Sequence, residues 1–273
     1  MKRIMAFTYG TVSYLIFLAT FLYAIAFIGN LGSVQTIDGE PRAPFGQALL
    51  INTLLLGIFA VQHSVMARPG FKRWWTRWVP KPVERSTYVF FSSGALLLLF
   101  HAWQPMGGTV WNVVDPVGRG LLFALFGAGW LLILIATFLI NHFDLFGMRQ
   151  VWLYLRGEEY RPLLFTTPGL YRYVRHPLYV GWLLAFWATP TMTVAHLVFA
   201  IATSAYILIA IQLEERDLVG VHGQVYADYR RRVPMLIPNL GQTWKRAGVA
   251  GFTFFLVKGV VWLLAPTLLY ILG

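Results

Sequence analysis

LYVGWLLAFWATPTMTVAHLVFAIATSAYILIAIQL, residues 178–213, is an apolar run of 36 residues interrupted only by Ala188-Thr189-Pro190-Thr191. A helix rises ~1.5 Å per residue, so one straight helix here would be nearly twice as long as a ~30 Å hydrocarbon core. Proline among small polar residues ends a helix and turns the chain. The run is therefore expected to fold as a helical hairpin, 178–190 and 194–213, with its turn inside the far leaflet. This decides the fold, because a hairpin returns the two long polar stretches that flank it, 142–177 and 214–248, to one face of a membrane.

The rest of the chain agrees with a membrane protein. Of 273 residues, 58% are hydrophobic and 12% charged, where a soluble domain carries about 25% charged residues. Further apolar runs predict spans at 7–29, 46–66, 87–104, 120–141 and 249–272. Lys258 lies in the middle of the last, where a lysine snorkels or faces protein. The first run is too long for a signal-peptide core and reads as a retained span. The expected fold is all-α: a single integral membrane domain over 1–273, with about five to seven membrane helices. It comprises N-terminal helices over 1–144, the hairpin with its polar flanks over 145–240, and a C-terminal helix over 241–273.

Charge sets the expected orientation. With the N-terminus in the cytosol, the cytosolic segments are 1–6, 67–86, 142–177 and 214–248, and they hold 19 of the 22 Lys and Arg residues. Only Arg42, Arg119 and Lys258 fall elsewhere. That is the bias of cytosolic loops, and it accounts for the net charge of +11 without nucleic acid as a partner. A single helix through 178–213 would instead place the two most basic late segments on opposite sides.

The chemistry to be expected is narrowed by what the chain lacks. It has no Cys, which excludes disulfides, thiolate metal sites and a Cys nucleophile. No Gly-x-Gly-x-x-Gly turn after a strand, no P-loop and no His-Glu-x-x-His occurs, and the six His are scattered, so no metal site is expected. Two clusters remain. One is Thr167-Pro168-Gly169-Leu170-Tyr171-Arg172-Tyr173-Val174-Arg175-His176-Pro177-Leu178-Tyr179-Val180-Gly181. The other is Glu214-Glu215-Arg216-Asp217, followed by Gly223, Tyr226, Tyr229 and Arg230-Arg231-Arg232-Val233-Pro234. Each has a plain reading, as a helix start with interface anchors or as a solvated helix end. The hairpin joins them, however. Glu214 closes a membrane helix, where an ionised carboxylate needs a partner, either Arg175 or a cationic ligand.

The pattern Pro168-Gly169-Leu170-Tyr171, Arg175-His176-Pro177-Leu178-Tyr179-Val180-Gly181, a hairpin, Glu214-Glu215, and Gly223-x-x-Tyr226-x-x-Tyr229 ending at Val233-Pro234-x-x-x-Pro238 resembles the isoprenylcysteine carboxyl methyltransferase family. The resemblance covers about 165–238. It implies S-adenosylmethionine bound at the cytosolic face, released as S-adenosylhomocysteine. The implied contacts are Tyr171, His176, Pro177, Leu178, Tyr179 and Glu214, with backbone from 163–166, and Arg175, Glu215 and Tyr229 beside them. The residue chemistry suits such a ligand. Glu214 can hold its ammonium, Arg175 or His176 its carboxylate, and Tyr171 and Tyr179 its adenine or sulfonium.

In the resemblance, carboxyl-methylating members carry an arginine where this chain has Ala210, so a prenylated-protein carboxylate is not the expected acceptor. The strings Gln62-His63-Ser64-Val65-Met66-Ala67-Arg68, Glu84-Arg85-Ser86-Thr87-Tyr88 and Asn141-His142-Phe143-Asp144-Leu145-Phe146-Gly147-Met148-Arg149-Gln150 resemble the bacterial NnrU and methanethiol S-methyltransferase branch. That implies a small thiol as acceptor and the bacterial inner membrane as location. His63, late in the second span, is the first candidate for catalysis, with Tyr88, Asp144 and Arg149 behind it. Their plain readings are a packed membrane histidine and ion pairs between loops. Other acceptors stay open at this point, as do a reductase using Arg230-Arg231-Arg232 for a nucleotide phosphate and an accessory protein of nitrogen-oxide metabolism.

Overall fold

The computed structural model describes residues 1–32 and 35–238; the expected span over 249–272 lies outside the described residues. The chain runs up and down between two ends. Helix α1 (Lys2–Gly29) leads to α2 (Phe45–Ala67), then to short α3 (Pro69–Trp75) and α4 (Lys81–Ala102). Strand β1 (Thr109–Asn112) precedes α5 (Pro116–Leu139), α6 (His142–Leu145) and α7 (Met148–Arg156). A 3₁₀ turn at Gly169–Arg172 then introduces the hairpin, α8 (Pro177–Trp187), β2 (Thr191–Thr193) and α9 (Val194–His222), and α10 (Gln224–Arg232) follows.

Local chemistry sets these boundaries. Pro44 and Pro80 hold extended backbone before α2 and α4, and Pro177 opens the first turn of α8, where proline fits. Asp115 accepts a hydrogen bond from Gly118 N at 2.7 Å and caps α5, while the Thr193 hydroxyl accepts from His196 N at 3.1 Å and caps α9. Gly147 has φ of +87°, and a Cβ there would come within 2.8 Å of both Ser86 N and its Oγ, so only glycine lets α7 dock on the first turns of α4.

The hairpin is present, with two differences from the sequence expectation. Its second arm does not stop at 213 but continues to His222, since Glu214, Glu215 and Asp217 find side-chain partners that let the helix leave the apolar layer. Its turn is not a bare proline bend. β2 pairs antiparallel with β1, Thr109 opposite Thr193 and Asn112 opposite Thr191, with an irregularity between Thr109 and Trp111. This small sheet satisfies backbone groups that an isolated turn at membrane depth would leave unpaired.

Four helices, α1, α2, α5 and α9, are long and apolar enough to cross a membrane, and α8 is a shorter apolar helix. The expected span at 87–104 belongs to α4, which is less apolar and packs against both α1 and α2. Leu18, Leu22, Ile58, Val61, Phe138 and Ile209 project large apolar side chains from the bundle, as lipid-facing positions do. The chain is an integral membrane protein.

The two ends differ. At the end away from the N-terminus, Phe27, Phe100, Trp103 and Phe199 interlock with ring centroids 4.7 to 6.2 Å apart. Trp103 Nε1 donates to the Ile37 carbonyl at 3.1 Å, and the Asn52 amide clasps the backbone of Gln104 through bonds of 2.8 and 2.9 Å. Along the hairpin, α8 packs on α5 where Gly181 meets Gly129; a Cβ on Gly129 would lie 2.8 Å from the Gly181 carbonyl. The end that carries the N-terminus is polar, and there the ends of α2 and α9 meet the starts of α4 and α8.

Candidate active site

The polar end divides into two halves. The first is built by the 3₁₀ turn, α8, α9 and α10. Glu215 is buried, with 4% of its surface exposed, and accepts from Arg175 Nε at 2.6 Å and from His176 Nε2 at 3.0 Å. Arg175 Nη1 also donates to the carbonyls of Arg230 and Val233, at 2.9 and 2.6 Å. The backbone N–H groups of Arg175 and His176 donate to the carbonyls of Pro234 and Met235, and the Tyr229 hydroxyl to that of Tyr171 at 2.6 Å. Phe165 lies against the rings of His222, Tyr226 and Tyr229. The two polar flanks of the hairpin are thus clasped together, as the hairpin requires.

Glu214, one residue earlier, behaves differently. Its Oε2 accepts from the Tyr179 hydroxyl at 2.9 Å, and among the described residues no Arg, Lys or His lies within ion-pair distance of it. Arg175 serves Glu215 instead. Glu214 is half-buried at the membrane end of α9, and its charge reaches tyrosines on four different segments: Tyr88, Tyr171, Tyr179 and Tyr226. Burial, with Glu214 adding, pushes the Tyr171 phenol well above its usual range. Burial likewise pushes Tyr229 up to about 12. These rings are neutral donors and apolar faces around a carboxylate that has, among the described residues, one hydrogen bond and no counter-ion. That donor set fits a compact cation bearing N–H groups, with aromatic surface around it.

The second half lies between α2, α4 and α9. The Tyr88 hydroxyl is 2.9 Å from His63 Nε2 and 3.1 Å from Nδ1, so it can donate to whichever nitrogen lacks the proton. Ser92 Oγ is 3.3 Å from His63 Nδ1 and accepts from Gln62 Nε2 at 3.4 Å. Phe59 packs on the imidazole, with centroids 5.2 Å apart, and on Tyr206, whose hydroxyl is 3.0 Å from Ser64 Oγ. Gln62 Oε1 is buried without a partner among the described residues. Turning that amide over would orphan its nitrogen instead, so one polar end lacks a protein partner either way. Below this group Arg68 Nη1 bonds Asp217 at 2.7 Å.

Tyr206, Ala210, Glu214 and Asp217 recur at the spacing of one helix face, so α9 presents the Tyr206–Ser64, Glu214–Tyr179 and Arg68–Asp217 contacts in a row. The structure therefore brings His63, Tyr88, Tyr179 and Glu214 to one region. Pro177 and Leu178 form the first turn of α8 beside them. Asp144 and Arg149 form a separate pair at 2.8 Å, joined by Gln150, by Tyr160 and by the Arg161 carbonyl. No hydrogen bond or ion pair among the described residues links them to His63 or Glu214. Arg230 Nη1 stands 3.9 Å from Glu215, and Arg231 and Arg232 bond Asp228, so the triple arginine is engaged within the protein. Among the described residues no group of three or more His, Asp and Glu could hold a metal ion. Ser92 and Tyr206 were not singled out from sequence. The four-residue steps from Tyr206 to Ala210 and Glu214 were the signal that could have found Tyr206.

Residues 162–220 match the model of the isoprenylcysteine carboxyl methyltransferase (ICMT) family, which takes in the first half of this site up to Glu214 and Glu215. A protein named methanethiol S-methyltransferase from Crocosphaera subtropica is 58% identical over 242 residues, 89% of this chain and 95% of that relative. Another of that name from Mycobacterium tuberculosis is 55% identical over 238 residues, 87% and 98% of the two chains. The chain belongs to the ICMT family, in its methanethiol S-methyltransferase branch. It is a methyltransferase. Members of the ICMT superfamily also diverge widely: Nurim of Bos taurus is 29% identical over 211 residues, 72% of this chain and 80% of that protein. No solved structure matches the chain. The relatives named methanethiol S-methyltransferase support the methyltransferase reading over the reductase and accessory readings that the sequence left open.

Proposed function

We propose that the protein transfers a methyl group from S-adenosylmethionine to methanethiol, giving dimethyl sulfide and S-adenosylhomocysteine, at the cytosolic face of a bacterial inner membrane. The observation that carries the donor assignment is the contrast between two neighbouring carboxylates. Glu215 is filled by Arg175 and His176, whereas among the described residues Glu214 has only the Tyr179 hydroxyl. An ammonium group of the donor supplies the missing partner. Tyr171, Tyr179, Pro177 and Leu178 surround the donor, while Arg175, His176, Glu215 and Tyr229 hold the walls that carry those residues. Asp144 and Arg149 fix the loop through Arg161 that precedes residues 163–166, and so shape the rim.

The donor supplies an activated methyl group on a sulfonium. The protein must hold the acceptor sulfur in line with it and exclude water. The His63–Tyr88–Ser92 group, lined by Phe59 and Tyr206, supports the acceptor role: it is partly buried, partly apolar and of alternating donors and acceptors. Ala210 leaves space on the α9 face between Tyr206 and Glu214, which suits a small acceptor without a carboxylate. A small apolar thiol can enter from the bilayer while the charged donor arrives from water.

The test is headspace gas chromatography of detergent-solubilised protein given S-adenosylmethionine and methanethiol. Dimethyl sulfide with equimolar S-adenosylhomocysteine is expected. A folded sample that binds S-adenosylhomocysteine yet makes no dimethyl sulfide would remove methanethiol as acceptor, and one that binds neither donor nor product would remove the donor assignment.

A further inference from the structure

Two cations stand beside the second half of the site. Lys72 on α3 and Arg85 on α4 are both partly buried, and neither makes a hydrogen bond or an ion pair among the described residues. Arg85 Cζ lies 5.7 Å from the centre of the Tyr88 ring, whose hydroxyl touches His63. The charges of Arg85 and Arg68 both act at His63. Arg68 is matched by Asp217, at 2.7 Å, and Glu84 lies near Lys72 without pairing. On α9 and α8 the facing groups are Tyr206, Glu214, Asp217 and Tyr179. Lys72 is held below the usual lysine range, first by burial and then by Arg85, so the cations crowd one another. Half-buried cations without counter-ions mark a place for an anion.

We propose that Arg85, with Lys72 behind it, is the subsite that holds the ionised sulfur of the methyl acceptor. This rests on the methyl-transfer reading above. A small alkyl thiol is less acidic than free Cys, whose pKa is about 8.5, so most of it is protonated at neutral pH. Positive charge beside the sulfur favours the thiolate. The S–H bond breaks and leaves its electron pair on sulfur, and the proton passes through Tyr88 and His63 to water. The sulfur pair then forms the new S–CH₃ bond as the donor's C–S⁺ bond breaks, its pair remaining on the donor sulfur. Arg85 thus acts on acceptor ionisation, whereas Glu214 acts on donor binding.

The test compares wild type, Arg85→Met and Arg85→Lys with two acceptors, methanethiol and trifluoroethanethiol, the latter largely ionised at mildly alkaline pH without help. Arg85→Met should lower kcat/KM for methanethiol about tenfold or more, the effect of roughly one pKa unit of lost thiolate stabilisation. It should change the rate with the acidic thiol by less than about threefold, and move the rising limb of the methanethiol pH profile upward. Arg85→Lys should retain most of the rate, and S-adenosylhomocysteine affinity by calorimetry should be unchanged in both variants. Equal losses with the two thiols would overturn the proposal. So would weakened S-adenosylhomocysteine binding, which would assign Arg85 to the donor carboxylate. Failure of wild type to methylate either thiol would instead sink the underlying methyl-transfer reading.

Discussion

Glu214 and Glu215 are adjacent and isoelectronic, and the structure predicts opposite consequences for their conversion to glutamine. Glu215 is enclosed with Arg175 and His176, the Arg175 side chain being 11% exposed. Removing one charge of a buried pair leaves the other without compensation, at about 3–5 kcal/mol. Arg175 keeps its bonds to the Arg230 and Val233 carbonyls, so the lower end, about 3 kcal/mol, is the appropriate value. The loss falls on the junction that joins residues 175–176 to 234–235. Local opening of that junction should become more frequent by a factor of about a hundred, at 1.36 kcal/mol per tenfold. Hydrogen–deuterium exchange reads this directly, because the amides of Arg175 and His176 are the ones bonded to Pro234 and Met235. Glu214→Gln should leave those amides as protected as in wild type, since Tyr179 can still donate to the glutamine oxygen. It should instead weaken S-adenosylhomocysteine binding by about 10- to 100-fold, the worth of a hydrogen bond to a charged group. The reasoning is refuted if Glu215→Gln exchanges like wild type while Glu214→Gln exchanges faster, or if Glu214→Gln binds product with wild-type affinity.

His63→Ala and Tyr88→Phe should each lower kcat by about 10²-fold or more, as for a lost proton-transfer group. Calorimetric affinity for S-adenosylhomocysteine should stay within about twofold of wild type; an unchanged kcat would remove that residue from the mechanism. Tyr229 has a folded pKa of about 12, raised from 10.0 chiefly by burial, so its neutral form stabilises the clasp on Tyr171. A raised folded value means the contribution is complete below pH 10 and lost as pH climbs through about 12. Wild type minus Tyr229→Phe, followed by circular dichroism against pH, should show a loss in that window, and identical alkaline curves would refute it. Gly129→Leu places side-chain atoms where the Gly181 carbonyl and Ala185 N already stand 2.8 Å from a Cβ. It should cost about 1–3 kcal/mol or more of overpacking and lower the thermal midpoint in detergent; a midpoint equal to wild type would show that α5 and α8 are not in this contact.

Much of this protein is a property of the chain alone. The apolar length of 178–213, its Pro190 break and the gathering of Lys and Arg on alternate loops determine an up-and-down bundle whose polar flanks meet at one end. The reason is that a bilayer admits few ways to satisfy backbone and charge. The pattern from Pro168 to Glu215 likewise carries the family resemblance, because its parts lie close together in one hairpin and its flanks. What only the tertiary structure decided is which carboxylate is which. Sequence offered Arg175 to Glu214, but the helix phase of α9 turns Glu215, not Glu214, toward Arg175 and His176, and leaves Glu214 with Tyr179. The β1–β2 pair also escaped the sequence, because seven residues in two short segments gain strand geometry only from each other. The second half of the site joins His63, Tyr88, Ser92 and Tyr206 from three helices separated by up to 143 positions, and side-chain contacts at such separations follow from packing angle and rotation, which no local pattern encodes.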